Sequence, residues 1–213
     1  MIRIQVQNLS KSFSSKSIFQ NLQFQLEQGN RLVISGPNGA GKSTFLKVFS
    51  GKMKPDTGTI QLIKNKKIVP QDFFFQNIAW DGPYIDVYPY FNLQETFYWH
   101  YQFFLPVFSF QEWIKILDLE PYQNTEIKYL SSGTLQRVKV GLALFSQTPI
   151  LMLDEPTDNM DIDNSHKILQ LIRYYSENRI LLIASNLLRE TEWLNPKDSE
   201  SYSSDLLTFH LYK

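Results

Sequence analysis

The sequence predicts an α/β fold with a mostly parallel central sheet, an antiparallel β subdomain at the N-terminus and a helical subdomain inserted within it. Three observations predict it. Apolar residues alternate with polar ones at Ile2, Ile4 and Val6, and again at Leu22, Phe24 and Leu26, which is the period of half-buried strands. Continuous apolar runs at 31–35, 150–153 and 180–184 read as strands buried on both faces. Helix-like stretches separate those runs, as a parallel sheet requires.

Along the chain, the run at 31–35 leads straight into glycines, and residues 42–50 read as a helix ended by Gly51. Pro55, Asp56 and Gly58 mark a turn before a strand at 59–62, and the lysine run 64–67 reads as a solvated turn. Phe73, Phe74 and Phe75 read as strand and core. From about residue 84 the composition becomes aromatic, with helical periodicity at 97–104 and 110–119. A further helix at 131–146 sets Leu135, Val138, Leu142 and Phe145 on one face. Together these make a helical subdomain of about 84–146 inside one domain spanning 1–213. Residues 163–176 read as a helix, 195–204 as a surface loop and 206–211 as a last edge strand.

Composition narrows the function. The chain has 213 residues, 43% hydrophobic and only 20% charged, so it is not of the disordered class. Twenty-one basic residues balance 21 acidic ones, and a net charge of zero gives no basic footprint, so no direct nucleic-acid partner is expected. There is no cysteine, which excludes disulfides and thiolate chemistry. No stretch approaches the ~20 apolar residues needed to span a bilayer. Any work at a membrane needs another protein as anchor.

Two motifs carry chemistry. Gly36-Pro37-Asn38-Gly39-Ala40-Gly41-Lys42-Ser43 matches the phosphate-loop pattern between an apolar strand and a helix. Its glycines let backbone N–H groups turn toward an anion, Lys42 brings a positive charge to the β- and γ-phosphates, and the Ser43 hydroxyl is placed for magnesium. Asp154 and Glu155 end an apolar strand, where two carboxylates are costly unless a cation uses them. A magnesium ion between Ser43 and Asp154 is the expected partner, which leaves Glu155 to polarise an attacking water.

The motifs together resemble those of the ATP-binding-cassette ATPases. Leu130-Ser131-Ser132-Gly133-Thr134-Leu135-Gln136-Arg137 is similar to that family's signature sequence, and residues 36–43 and 150–155 look like its Walker A and Walker B. Residues 157–161 resemble its D-loop, and Pro55 to Gly58 its turn after the first core helix. The resemblance covers about residues 2–188. It implies a P-loop NTPase core that binds ATP and Mg2+ through Phe13, stacked on adenine, and through Gly36, Pro37, Asn38, Gly39, Ala40, Gly41, Lys42, Ser43 and Thr44. It implies a head-to-tail dimer, homodimeric by default, in which Ser131 and Gly133 reach the γ-phosphate on the opposite subunit.

Two positions depart from that family. Asn186 stands where it places a switch histidine, which implies slower hydrolysis, because an amide carries no proton or charge. The segment 78–84 stands where it places the Q-loop glutamine, so the metal-side contact passes to Asp81, Tyr84 or a water. Gln71 falls too early to supply it. His100, His166 and His210 are expected to be ordinary surface or interface residues. The resemblance implies an ATP-hydrolysing subunit on the cytoplasmic face of the membrane that drives a separate integral membrane permease. Aromatics around Tyr84, Tyr88, Tyr90, Phe91, Phe97, Trp99 and Tyr101 pack the lobe or receive a helix of that permease. The alternative is a soluble cassette ATPase, or a nucleotide-dependent regulator that scarcely turns ATP over.

Overall fold

The computed structural model describes residues 1–14, 16–82 and 86–186, with the backbone of 206–210. Pro83, Tyr84, residues 187–188, the expected loop at 195–204 and the side chain of His210 lie outside the described residues.

Two sheets carry the fold. The first is antiparallel, in the order β2–β1–β4–β5, built from β1 (Ile2–Phe13), β2 (Lys16–Glu27), β4 (Thr57–Lys64) and β5 (Lys67–Val69). Ile2, Ile4 and Val6 are buried along β1, as their alternation requires. The turn between β4 and β5 is Asn65-Lys66, both at positive φ, so the lysine run is half strand and half turn. The second sheet is parallel, in the order β6–β7–β8–β3–β9, from β3 (Arg31–Ser35), β6 (Ile78–Asp81), β7 (Ile150–Asp154), β8 (Ile180–Ser185) and β9 (Leu206–His210). β7 and β8 are buried at every residue, which accounts for their unbroken apolar sequence. β9 pairs with the outer edge of β3 over its whole length.

Each face of the parallel sheet has its own core. Ile78, Ile150, Met152, Leu182 and Ile34 pack under helix α1 (Lys42–Phe49) with Phe45 and Phe49. Ala79, Leu151, Leu153 and Ile183 face the helical side, formed by α2 (Leu93–His100), α3 (Phe110–Ile116), α4 (Ser132–Leu144) and α5 (Ile162–Tyr175). Trp113 of α3 is fully buried there among Phe97, Phe110 and Leu117.

Three expectations need correction. Phe73, Phe74 and Phe75 lie in a 3-10 helix, Gln71–Asn77, rather than a strand, and only Phe74 is buried. β5 stops after three residues, and Pro70 cannot donate to a continued ladder. Helix α2 starts four residues earlier than the aromatic period suggests, because Asn92 and Glu95 form a reciprocal capping box. It also ends at His100, before Phe104. Ser109 and Glu112 cap α3 in the same way, and it stops at Ile116, short of residue 119.

Candidate active site

Strand ends and one loop meet at the carboxyl edge of the parallel sheet. β3 ends at Ser35, and the loop 36–41 turns into α1. Gly41 caps that helix at φ +108, and a Cβ there would stand 2.1 Å from Ile18 Cγ2. A side chain is therefore excluded by both backbone and neighbour. The loop, β1 and β7 enclose an open cavity of about 390 Å³. It brings together Phe13, Asn38, Gly39, Gly41, Lys42, Ser43, Thr44, Asp154 and Glu155, and it adds Ile18, which carries no signal in the sequence. Gly36, Pro37 and Ala40 are not on its wall. Gly36 and Pro37 turn their carbonyls to Lys42, and Ala40 puts its methyl into the core.

The charges in this cavity are partnered to different degrees. Lys42 is 5% exposed, its Nζ lies 3.0 Å from Gly36 O and 3.4 Å from Pro37 O, and it meets Glu155 Oε1 at 3.3 Å. An entering phosphate offers that ammonium a stronger charge-assisted partner. Asp154 is buried and takes a hydrogen bond from the Ser43 hydroxyl, while its Oδ2 has no partner among the described residues. Burial holds its carboxyl above the usual range, against the hydrogen bond from Ser43. A buried lone carboxylate oxygen beside a serine hydroxyl suits a hard, oxygen-seeking cation. Magnesium therefore fits the residues present. Glu155 sits at φ +56, and its N–H donates to Ala184 O at 2.8 Å, which fixes it between β7 and β8.

Asn186 follows β8. Its Nδ2 donates to Asn38 Oδ1 at 2.7 Å, so this side chain bridges the strand end to the tip of the loop. Ser131 and Gly133 are elsewhere. They line a second, polar cavity of about 350 Å³ with Asn159, Asp161 and Arg137. Ser131 caps α4 by accepting from the Thr134 N–H at 3.2 Å, and Thr134 Oγ1 lies 2.8 Å from Ser131 Oγ, so the threonine supports the cap. A Cβ on Gly133 would come within 2.6 Å of Asn159 O, so the signature segment and the loop after Glu155 share one wall.

Asp81 does not face the Ser43–Asp154 pair as expected. Its position on β6 alternates with Trp80, which packs on the α1 side, and places Asp81 with Ala79 on the α4 side. There Gln136 Nε2 donates to Asp81 Oδ2 at 3.0 Å, and Lys139 Nζ stands 3.9 Å from Oδ1. Burial pushes the Asp81 carboxyl up to about 7, against the pull of Lys139 and Gln136. Gln136 and Lys139 are missed by the sequence reading. Their three-residue spacing on one helix face is the signal that could have found them.

A third cavity, about 140 Å³, opens on the helical side between Trp80, Val87, Tyr88, Phe91, Trp99 and Phe103, with Lys139 and His100 at its edges. Tyr88, Tyr90, Trp99 and Phe103 are exposed, whereas Phe97 is core. His100 is half-buried at the edge of this groove. Its Nε2 is 3.0 Å from Ser146 Oγ, its ring stacks on Phe104, and burial lowers its pKa to about 4. His166 is exposed as expected.

Comparison with known proteins agrees with this geometry. A family model described as ABC transporter matches residues 19–158. The cytochrome c biogenesis ATP-binding export protein CcmA of Brucella abortus (strain 2308) is 27% identical over 185 residues, covering 86% of this chain and 85% of that protein. The zinc import ATP-binding protein ZnuC of Buchnera aphidicola subsp. Schizaphis graminum is 30% identical over 191 residues, covering 86% and 74%. Among solved structures, the dimeric post-hydrolysis state of the ATP-binding cassette MJ0796, bound to ADP and Pi, has a TM-score of 0.74 at 21% identity, covering 89% and 90%. The chain belongs to the ABC transporter family, and within it to the ATP-binding, ATP-hydrolysing subunits. Among the described residues no helix is long and apolar enough to cross a membrane.

Proposed function

We propose that this member of the ABC transporter family hydrolyses ATP at a composite site, and that turnover in a dimer drives a separate integral membrane permease from the cytoplasmic face. The observation that carries the reading is the pair of separate half-sites. One cavity holds a phosphate loop beside a buried carboxylate whose Oδ2 has no partner among the described residues. The other holds a capped helix start that carries Ser131 and Gly133, apart from that loop. Head-to-tail pairing of two copies sets Ser131 and Gly133 of one over the nucleotide of the other. The MJ0796 cassette is a dimer with ADP and Pi, which supports that pairing.

Within one cavity the roles divide. Phe13 offers a ring face to the base. Backbone N–H groups of the loop and Lys42 hold the β- and γ-phosphates. Ser43 and Asp154 would hold magnesium, which when bound neutralises charge on the phosphates. Glu155, once Lys42 turns to phosphate, is free to accept a proton from water attacking the γ-phosphorus. Asn186 hydrogen-bonds near the γ-phosphate but moves no proton, so turnover is slower than with histidine there. The exposed aromatic groove offers the apolar, ring-rich surface that favours a protein partner, and both CcmA and ZnuC are named as ATP-binding proteins of transport systems.

The test is steady-state phosphate release with Mg-ATP, compared with Glu155→Gln. Loss of the base lowers turnover by roughly 10²–10⁴-fold while nucleotide binding persists, and EDTA abolishes turnover in the wild type. A wild type no faster than the variant instead supports the non-hydrolysing regulator.

A further inference from the structure

We infer that Asp81 and Lys139 form a latch that couples the nucleotide-bearing sheet to helix α4, the helix whose start carries Ser131 and Gly133. The inference rests on the proposed composite site.

Asp81 is 1% exposed at the end of β6. Both side chains that approach it come from α4, one turn apart: Gln136 bonds Oδ2 at 3.0 Å, and Lys139 Nζ stops 3.9 Å from Oδ1. Among the described residues, no side chain hydrogen-bonds Oδ1. Lys139 instead donates to the carbonyl of Gly82, the next residue, at 2.9 Å. A buried carboxylate whose cation stands just out of reach does not stabilise the arrangement seen. Its desolvation is incompletely offset. A slide of α4 along β6 of about 1 Å brings Nζ to the 2.7–2.9 Å of a charge-assisted bond. The same side chains therefore have two arrangements, pair open and pair closed.

The other end of this contact reaches the active site through backbone. Gly82 lies against Asp154, close enough that a Cβ on it would stand 3.0 Å from Asp154 Cβ and 3.7 Å from Oδ2. Lys139 thus holds the strand end that abuts the cation-side carboxylate, and Asp81 holds Gln136 on the same helix. Ligand at Asp154 and the position of α4 bias each other through these few atoms, and such coupling is reciprocal. Lys139 also lines the aromatic groove, so a partner seated there touches the same latch.

Hydrogen exchange with and without Mg-ATP tests the latch. The full-length chain is compared with Asp81→Asn, Lys139→Met and the double variant, which buries no unpaired charge. In the wild type, Mg-ATP protects both the phosphate loop and α4. In each variant, loop protection and ATP affinity stay within about threefold while protection of α4 is lost, and the melting temperature of Asp81→Asn does not fall. An α4 response that survives in the variants overturns the latch, as does loss of loop protection together with it, which marks a merely structural role. A wild-type α4 that ignores Mg-ATP while the loop responds overturns it too. A wild-type loop that never responds instead removes the proposed ATP site.

Discussion

The phosphate cavity, walled by the loop after β3 and the end of β7, and the aromatic groove, walled by β6, α2 and α4, are finished to different degrees. In the first, Lys42 and Glu155 meet at 3.3 Å, and Asp154 Oδ2 has no partner among the described residues. In the second, Trp80 Nε1 and Thr96 Oγ1 are buried without a partner among the described residues, but they are neutral groups. His100 is kept neutral against Ser146, and the Tyr101 hydroxyl donates to Leu142 O at 3.2 Å, which leaves rings as the free surface. Unsatisfied buried charge awaits an ion and its counter-ion, whereas a groove walled by exposed rings awaits apolar side chains. One chain thus offers one face to a nucleotide and another to a protein.

Four changes separate the two regions, from the largest expected effect to the smallest. Trp113→Ala removes the ring beneath the helical side and costs about 3–5 kcal/mol of stability. Thermal melting shows the drop, while the protein still folded at low temperature binds Mg-ATP as before. Parallel loss of intrinsic affinity would mean that the two regions are not separable. Gly41→Ala is the converse. It forces a Cβ into Ile18 and strains a left-handed backbone, together roughly 3 kcal/mol, so calorimetry finds Mg-ATP affinity about 100-fold weaker. Trimming Ile18 to Ala in that variant restores part of the loss.

The third change is pH. His100 has a folded pKa of about 4 against 6.5, lowered chiefly by burial. The unfolded chain binds its proton first, so this contribution to stability is complete above pH 6.5 and is lost as pH falls toward 4. His100→Gln flattens that part of the melting profile, and an equally steep profile in the variant would assign it elsewhere. The smallest effect is Asn186→His, which raises phosphate release a few-fold by supplying a titratable group beside Asn38. An unchanged rate would show that Asn186 already does all that this position does.

How far each region is legible in the sequence follows from how local it is. The phosphate loop is eight consecutive residues between a strand and a helix, so its chemistry is written in order, and the carboxylates end a strand visible by its apolar run. The latch is not. Asp81 meets Gln136 and Lys139 across 55 to 58 positions, and nothing in the neighbourhood of Asp81 announces that its side chain leaves the metal side. Phe73 to Phe75 mislead for a related reason: three rings suggest core, but the 3-10 turn after Pro70 buries only the middle one. Helix starts set by capping, such as Asn92 with Glu95, are readable, but only when caps are sought before aromatic period.

The seam between β3 and β9 matters to anyone handling the protein. β3 is five residues, four of them buried, and it feeds the phosphate loop directly. Paired along its length by residues 206–210, it presents no open edge on that side. A truncation that removes those residues turns an apolar strand into a template for the next molecule in the tube, so clotting rather than lost chemistry becomes the first symptom.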